Sequence, residues 1–203
     1  LTHTLHRRGT KESLSKDFVV IILPVPGVSD PNLLQKQRKF FDITTKHKPV
    51  NVGDRWLGNL FTKGVTLEKI YADPKPLPVA VYDNKAAVTA VLKELKEADL
   101  GLSVVVSGVF DEIFDAAKKA GLKPHSLNMS LGIWGKTELL PKENDLGITT
   151  MCGHCMVTPQ LVKYLRRQIS VGKMKPGDAA KKIAGGCICG AFNPARATQL
   201  FRQ

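Results

Sequence analysis

No apolar run in this chain is long enough to cross a bilayer: the longest, Phe18 to Leu23, falls far short of the ~20 residues a spanning helix needs. The basic stretch Leu1 to Arg8 has no apolar segment behind it before Phe18, so it lacks the pattern of a secretory signal. A cytoplasmic location is the expectation. The phosphate-loop and dinucleotide-binding glycine patterns are missing, and so is any defensible spacing of paired carboxylates or of serine, histidine and acid. No repeat or low-complexity tract appears. Aromatic residues are scarce, at 6%, which weakens any reading as a stacking platform for single-stranded nucleic acid. Cysteine is absent before Cys152, and carboxylate side chains all but vanish after Asp145, where Asp178 stands alone.

What is present fits a folded chain of one large or two small domains: 203 residues, 43% hydrophobic and 24% charged. The net charge of +12 is concentrated after Asp145, where the four cysteines also lie. The natural division is an α/β domain over residues 1–145 and a basic helical segment over 146–203, and the two can pack as one domain.

The β-branched run Phe18 to Leu23 reads as a strand, followed by a helix from Asn32 to about Thr44. Lys46 to Lys63, interrupted by Pro, Gly and Asn, reads mostly as loop. Pro78 to Tyr82, Lys85 to Ala98, Leu102 to Ser107, Phe110 to Ala120 and His125 to Trp134 read as strand, helix, strand, helix, strand. Strands apolar on both sides and joined by helices predict a mostly parallel sheet with helices on both faces, plus a small helical unit carrying the cysteines.

That unit holds the strongest chemical signal. Cys152-Gly153-His154-Cys155 and Cys187-Ile188-Cys189 form two close pairs, the way four-thiolate metal sites are assembled. Thr158-Pro159 and Asn193-Pro194 stand six and seven residues after Cys152 and Cys187, so each pair is expected in a loop that opens a helix. A helix from Pro176 to Ala184 links the two units. The glycine-rich, apolar loops favour an iron–sulfur centre over zinc, with Cys152, Cys155, Cys187 and Cys189 as ligands and His154 beside them. Redox work or regulation, with a redox partner or an anionic ligand, is the first functional expectation.

Two other readings compete. Cys152 and Cys155 form a CxxC dithiol, with Cys152 as nucleophile if its pKa is low. Alternatively, zinc stabilises a nucleic-acid-binding module in which Lys163, Arg166, Arg167, Lys173, Lys175, Lys181, Lys182, Arg196 and Arg202 contact phosphates. Elsewhere the signals are weak. His6-Arg7-Arg8-Gly9 reads as a mobile tail rather than a phosphate clamp, Ser107-Gly108 as an ordinary strand end, and His47 and His125 as structural or exposed.

Overall fold

The computed structural model describes residues 4–75 and 77–203. Leu1, Thr2 and His3, the start of the stretch without a secretory pattern, lie outside the described residues. In chain order the elements are α1 (Lys11–Leu14), β1 (Phe18–Leu23), α2 (Leu33–Lys46), β2 (Asn51–Asp54), β3 (Gly58–Asn59), α3 (Leu67–Ala72), β4 (Pro78–Tyr82), α4 (Lys85–Ala98), β5 (Ser103–Ser107) and α5 (Phe110–Lys119). A short 3-10 turn at Thr137–Leu139 precedes α6 (Glu143–Thr149), α7 (Pro159–Ser170), α8 (Pro176–Ala184) and α9 (Pro194–Phe201). Among the described residues no helix is long and apolar enough to cross a membrane.

The strands lie in the order β3-β2-β4-β1-β5, and every neighbouring pair is antiparallel. The expected mostly parallel sheet is therefore wrong, and the register shows why. Val20 pairs with Ala80 of β4 on one side and Val106 of β5 on the other, both antiparallel, while Val52 of β2 pairs with Ala80 from β4's far side. It follows that β1 runs parallel to β2, and β4 to β5. Helices α2 and α4 do carry the chain between parallel strands, but each crossover leaps a slot that a strand of the other unit fills in the opposite direction. Periodicity reveals the crossover and is blind to the slot. Two interleaved βαβ units of this kind make a split βαβ arrangement.

Alternation sorts the side chains of the central strands onto two covered faces. Phe18, Val20 and Ile22 join Ala80 and Tyr82 against Phe40, Phe41 and Ile43 of α2, Val88, Val91 and Leu92 of α4, and Ile113 and Ala116 of α5. Val19, Ile21, Val79 and Val81 face the other way, into a core completed by Ile148 of α6, Val162 and Leu165 of α7, Ile183 of α8, and Ala197 and Leu200 of α9. Cys152, Cys187 and Cys189 belong to this second core. The cysteine-bearing segment is thus a layer of the sandwich, and residue 145 falls inside α6.

Two further expectations fail. The stretch expected as loop over Lys46 to Lys63 contains β2 and β3, whose Asn51, Asp54 and Asn59 are buried polar residues, so hydropathy hides the strands. His125 to Trp134, expected as a strand, is exposed throughout and joins no sheet among the described residues.

Candidate functional site

Both cysteine loops end where a helix begins. Thr158 accepts a hydrogen bond from the backbone N–H of Leu161 at 3.2 Å and Asn193 from that of Arg196 at 2.9 Å, with Pro159 and Pro194 in the first turns of α7 and α9.

Three of the four cysteines lie in the second core. Cys152, Cys187 and Cys189 are buried, and the sulfurs of Cys187 and Cys189 are 3.8 Å apart. Backbone N–H groups are directed at the same sulfurs: those of Met156 and His154 at Cys152, of Cys189 at Cys187, and of Ala191 at Cys189. Such donors favour thiolate over thiol. Cys155 is exposed, with a left-handed backbone at φ 56°. Among the described residues no group of three or more His, Cys, Asp or Glu side chains is set to hold a metal ion.

The three thiols do not ionise alike. The hydrogen bond with Cys187, then burial, pushes Cys152 well up. Cys187 is drawn down by Cys152, but its hydrogen bond with Cys189 and its burial outweigh this and leave it at about 11. Cys189 is lowered, first by the hydrogen bond from Cys187, then by the Ala191 amide and the charge of Arg7. A nucleophile at Cys152 requires the opposite direction from the one found.

The sheet holds the Cys187–Cys189 loop by its buried asparagines. Asn51 donates through Nδ2 to the carbonyls of Gly190 at 3.1 Å and Phe192 at 3.0 Å; Asn59 donates to those of Ala184 at 2.8 Å and Cys187 at 2.7 Å. Gly190, at φ 72°, lies so close to Gly53 of β2 that a Cβ on either would stand 2.6 Å from the other's Cα. Neither glycine tolerates a side chain.

The N-terminal segment supplies the remaining clamp. Arg7 is no part of a mobile tail: its guanidinium is buried, pairs with Asp17, and donates to the carbonyls of Met151 and Ala191, one beside each cysteine loop. Asp17 also receives Arg196 at 2.9 Å and Asn193 at 3.1 Å. One buried carboxylate therefore faces two buried guanidinium groups, and the Arg7 charge acts on Cys189.

Asp17, Asn51, Asn59 and Gly53 carry no motif signal in the sequence, and Arg7 reads there as part of a tail, because each is tied to the site through space, without a spacing rule. A buried-strand reading of Asn51 to Asp54 was the one signal available. Of the nine basic residues considered for phosphate contacts, Arg196 is buried on Asp17 and Arg166 bonds Asp145 at 2.9 Å, whereas Lys163, Arg167, Lys173, Lys175, Lys181, Lys182 and Arg202 are exposed. His47 bonds Glu94 at 2.7 Å and His125 is exposed. No protein-family model matches this chain, and neither a curated protein nor a solved structure does.

Proposed function

We propose that the chain is a metal-binding protein in which Cys152, Cys187 and Cys189, joined by Cys155 from its exposed loop, hold an iron–sulfur centre or a zinc ion used in redox work or regulation. The observation that carries this is the burial of three cysteines in one core, two of their sulfurs 3.8 Å apart, with backbone amides directed at all three. Charge supports it: Arg7 and Arg196 against Asp17 leave one buried positive charge beside sulfurs that become anionic on ligation.

The sulfur spacing bears on the kind of centre. Two thiolates on one tetrahedral metal at ~2.3 Å are separated by ~3.8 Å. The Cys187 to Cys189 distance of 3.8 Å, here a thiol–thiol contact, also fits two ligands that share a metal atom. Single-ion sites and two-iron clusters share ligands in this way; in a four-iron cube each iron takes its own cysteine. The test is iron, zinc and acid-labile sulfide content with an absorbance spectrum on protein purified without oxygen. One ion per chain, or two irons with two sulfides, is the expected result. Four irons would refute the shared-metal argument, and protein without metal after anaerobic purification and reconstitution would refute the reading itself.

A second reading rests on the burial of Cys152 and Cys187 in one core. It moves a reversible disulfide from the CxxC pair to one linking the two loops. Mass mapping after mild oxidation separates the two pairings, and a Cys152–Cys155 bond would remove the loop-to-loop version.

A further inference from the structure

The segment from Lys123 to Leu140 is exposed at every residue, yet it is not a polar loop. Leu127, Met129, Leu131 and Ile133 alternate with Ser126, Asn128, Ser130 and Gly132, the period of a strand with one apolar side. Leu131 is 80% exposed and Trp134 82%. Among the described residues, no backbone group from Lys123 to Trp134 bonds another backbone group. Among the described residues β5 pairs with β1 alone, so its outer edge has no strand partner there, with Thr4 Oγ1 2.7 Å from Ser107 Oγ at its end. Val104 of β5 is exposed, and a groove of about 1060 Å³ separates this edge from residues 124–130. An open edge and an unpaired strand-patterned segment are the two halves of a strand-addition contact.

We propose that this face is the interface of a two-fold dimer, in which the Ser126–Trp134 segment of one copy lies along β5 of the other and the reverse. Three observations select a second copy as the occupant. The chain itself carries both donor and acceptor, so one contact repeated by a two-fold axis satisfies both and closes the assembly. Charge is the second: two copies at +12 each repel unless they meet on a neutral face, and neither Pro124 to Gly135 nor Ser103 to Val109 contains a Lys, Arg, Asp or Glu. Size is the third. The neutral stretch Pro124 to Gly135, β5 and the stacked, exposed Phe110 and Phe114 amount to about 19 residues, close to the lower end of the 20–30 a side of a standard stable interface.

Sedimentation equilibrium on the full chain, with hydrogen exchange at low and high protein concentration, tests this directly. The expected wild-type mass is twice 22.2 kDa, with Ser126 to Trp134 protected only in the dimer. Leu131→Asp places a charge on a side chain that touches little within its own chain. It should raise the dimer dissociation constant by at least ~100-fold and leave the unfolding midpoint unchanged. Trp134→Ala should act in the same direction. A wild-type chain that is monomeric at about 100 µM overturns the proposal, as does a dimer that Leu131→Asp leaves intact. A monomer whose segment is nonetheless protected closes the groove within one chain, and also overturns it.

Discussion

Asp17 is a buried carboxylate held by two guanidinium groups, and the two partners are not equivalent. Arg196 is fully buried and ties α9 to the start of β1, whereas Arg7 reaches both cysteine loops. Removing the shared carboxylate leaves two buried cations without a counter-charge. Asp17→Asn is therefore expected to destabilise the chain by about 3–5 kcal/mol, read from denaturant midpoints at constant slope. Arg7→Met keeps the Asp17–Arg196 pair and much of the buried volume. Its expected signature is a smaller loss of stability with metal affinity weakened ~10-fold or more, measured by competition with a chelator. Equal stability losses in the two variants would refute this division of roles. At this scale the sequence exposes the cysteines, because paired thiols are rare and their spacing has few explanations. It conceals Arg7 and Asp17, because a charged residue beside a terminus is ordinarily solvated and only the fold puts these two in the core.

Among the elements, the helix starts and the strands β1, β4 and β5 were readable, and the order and direction of the sheet were not. Thr158-Pro159 and Asn193-Pro194 mark α7 and α9 through local capping chemistry. The direction of β4 relative to β1 depends on which slot each crossover leaves open, a non-local choice that no window of residues contains. β2 was missed for another reason: its one asparagine, Asn51, is buried because it hydrogen-bonds the cysteine loop, so the strand carries buried polarity that reads like that of a surface. The two caps are also unequal. Thr158 is exposed, while Asn193 is buried and donates to the Lys16 carbonyl and to Asp17 besides capping. Thr158→Ala should cost about 1 kcal/mol, and Asn193→Ala more, since it also leaves buried groups unpaired. Thermal midpoints order the two, and the reverse order would contradict the geometry. On the opposite face, Lys85 at the start of α4 bridges Glu112 and Asp115 of α5 at 2.7 and 2.8 Å. Hydrogen bonds from Lys85 and then Lys119 hold Asp115 at about 2 in the folded chain, below the ~3.9 of an unfolded aspartate. A depressed acid stabilises the fold fully above its unfolded pKa, and that contribution is lost as pH falls toward 2. The stability gap between wild type and Asp115→Asn should hold from neutral pH to about 4 and close below it, with the carboxyl shift in NMR reporting the titration directly.

For the whole molecule, the decisive fact is that the cysteine loops and the sheet share one core. Val19, Ile21, Val79 and Val81 contact the same cluster as Cys152, Cys187, Cys189, Phe192 and Leu200, so the segment after residue 145 has no apolar centre separate from the strands. Gly53 against Gly190, and Asn51 and Asn59 against the loop carbonyls, add polar and steric ties across that layer. A ligand that binds the cysteines of the folded state alone stabilises everything that unfolds with them, by RT ln(1 + [L]/Kd), or about 2.7 kcal/mol at a hundredfold excess over Kd. The expected result is one cooperative transition, monitored by calorimetry and far-ultraviolet dichroism together, that moves to lower temperature as a whole when the proposed metal is removed. Replacing Cys152 and Cys187 together with serine should place the transition at or below the metal-free position and make it insensitive to added metal. Two transitions of which only one responds to metal would mean that residues 146–203 unfold as a unit of their own, and would separate the site from the sheet that the asparagines and glycines tie it to.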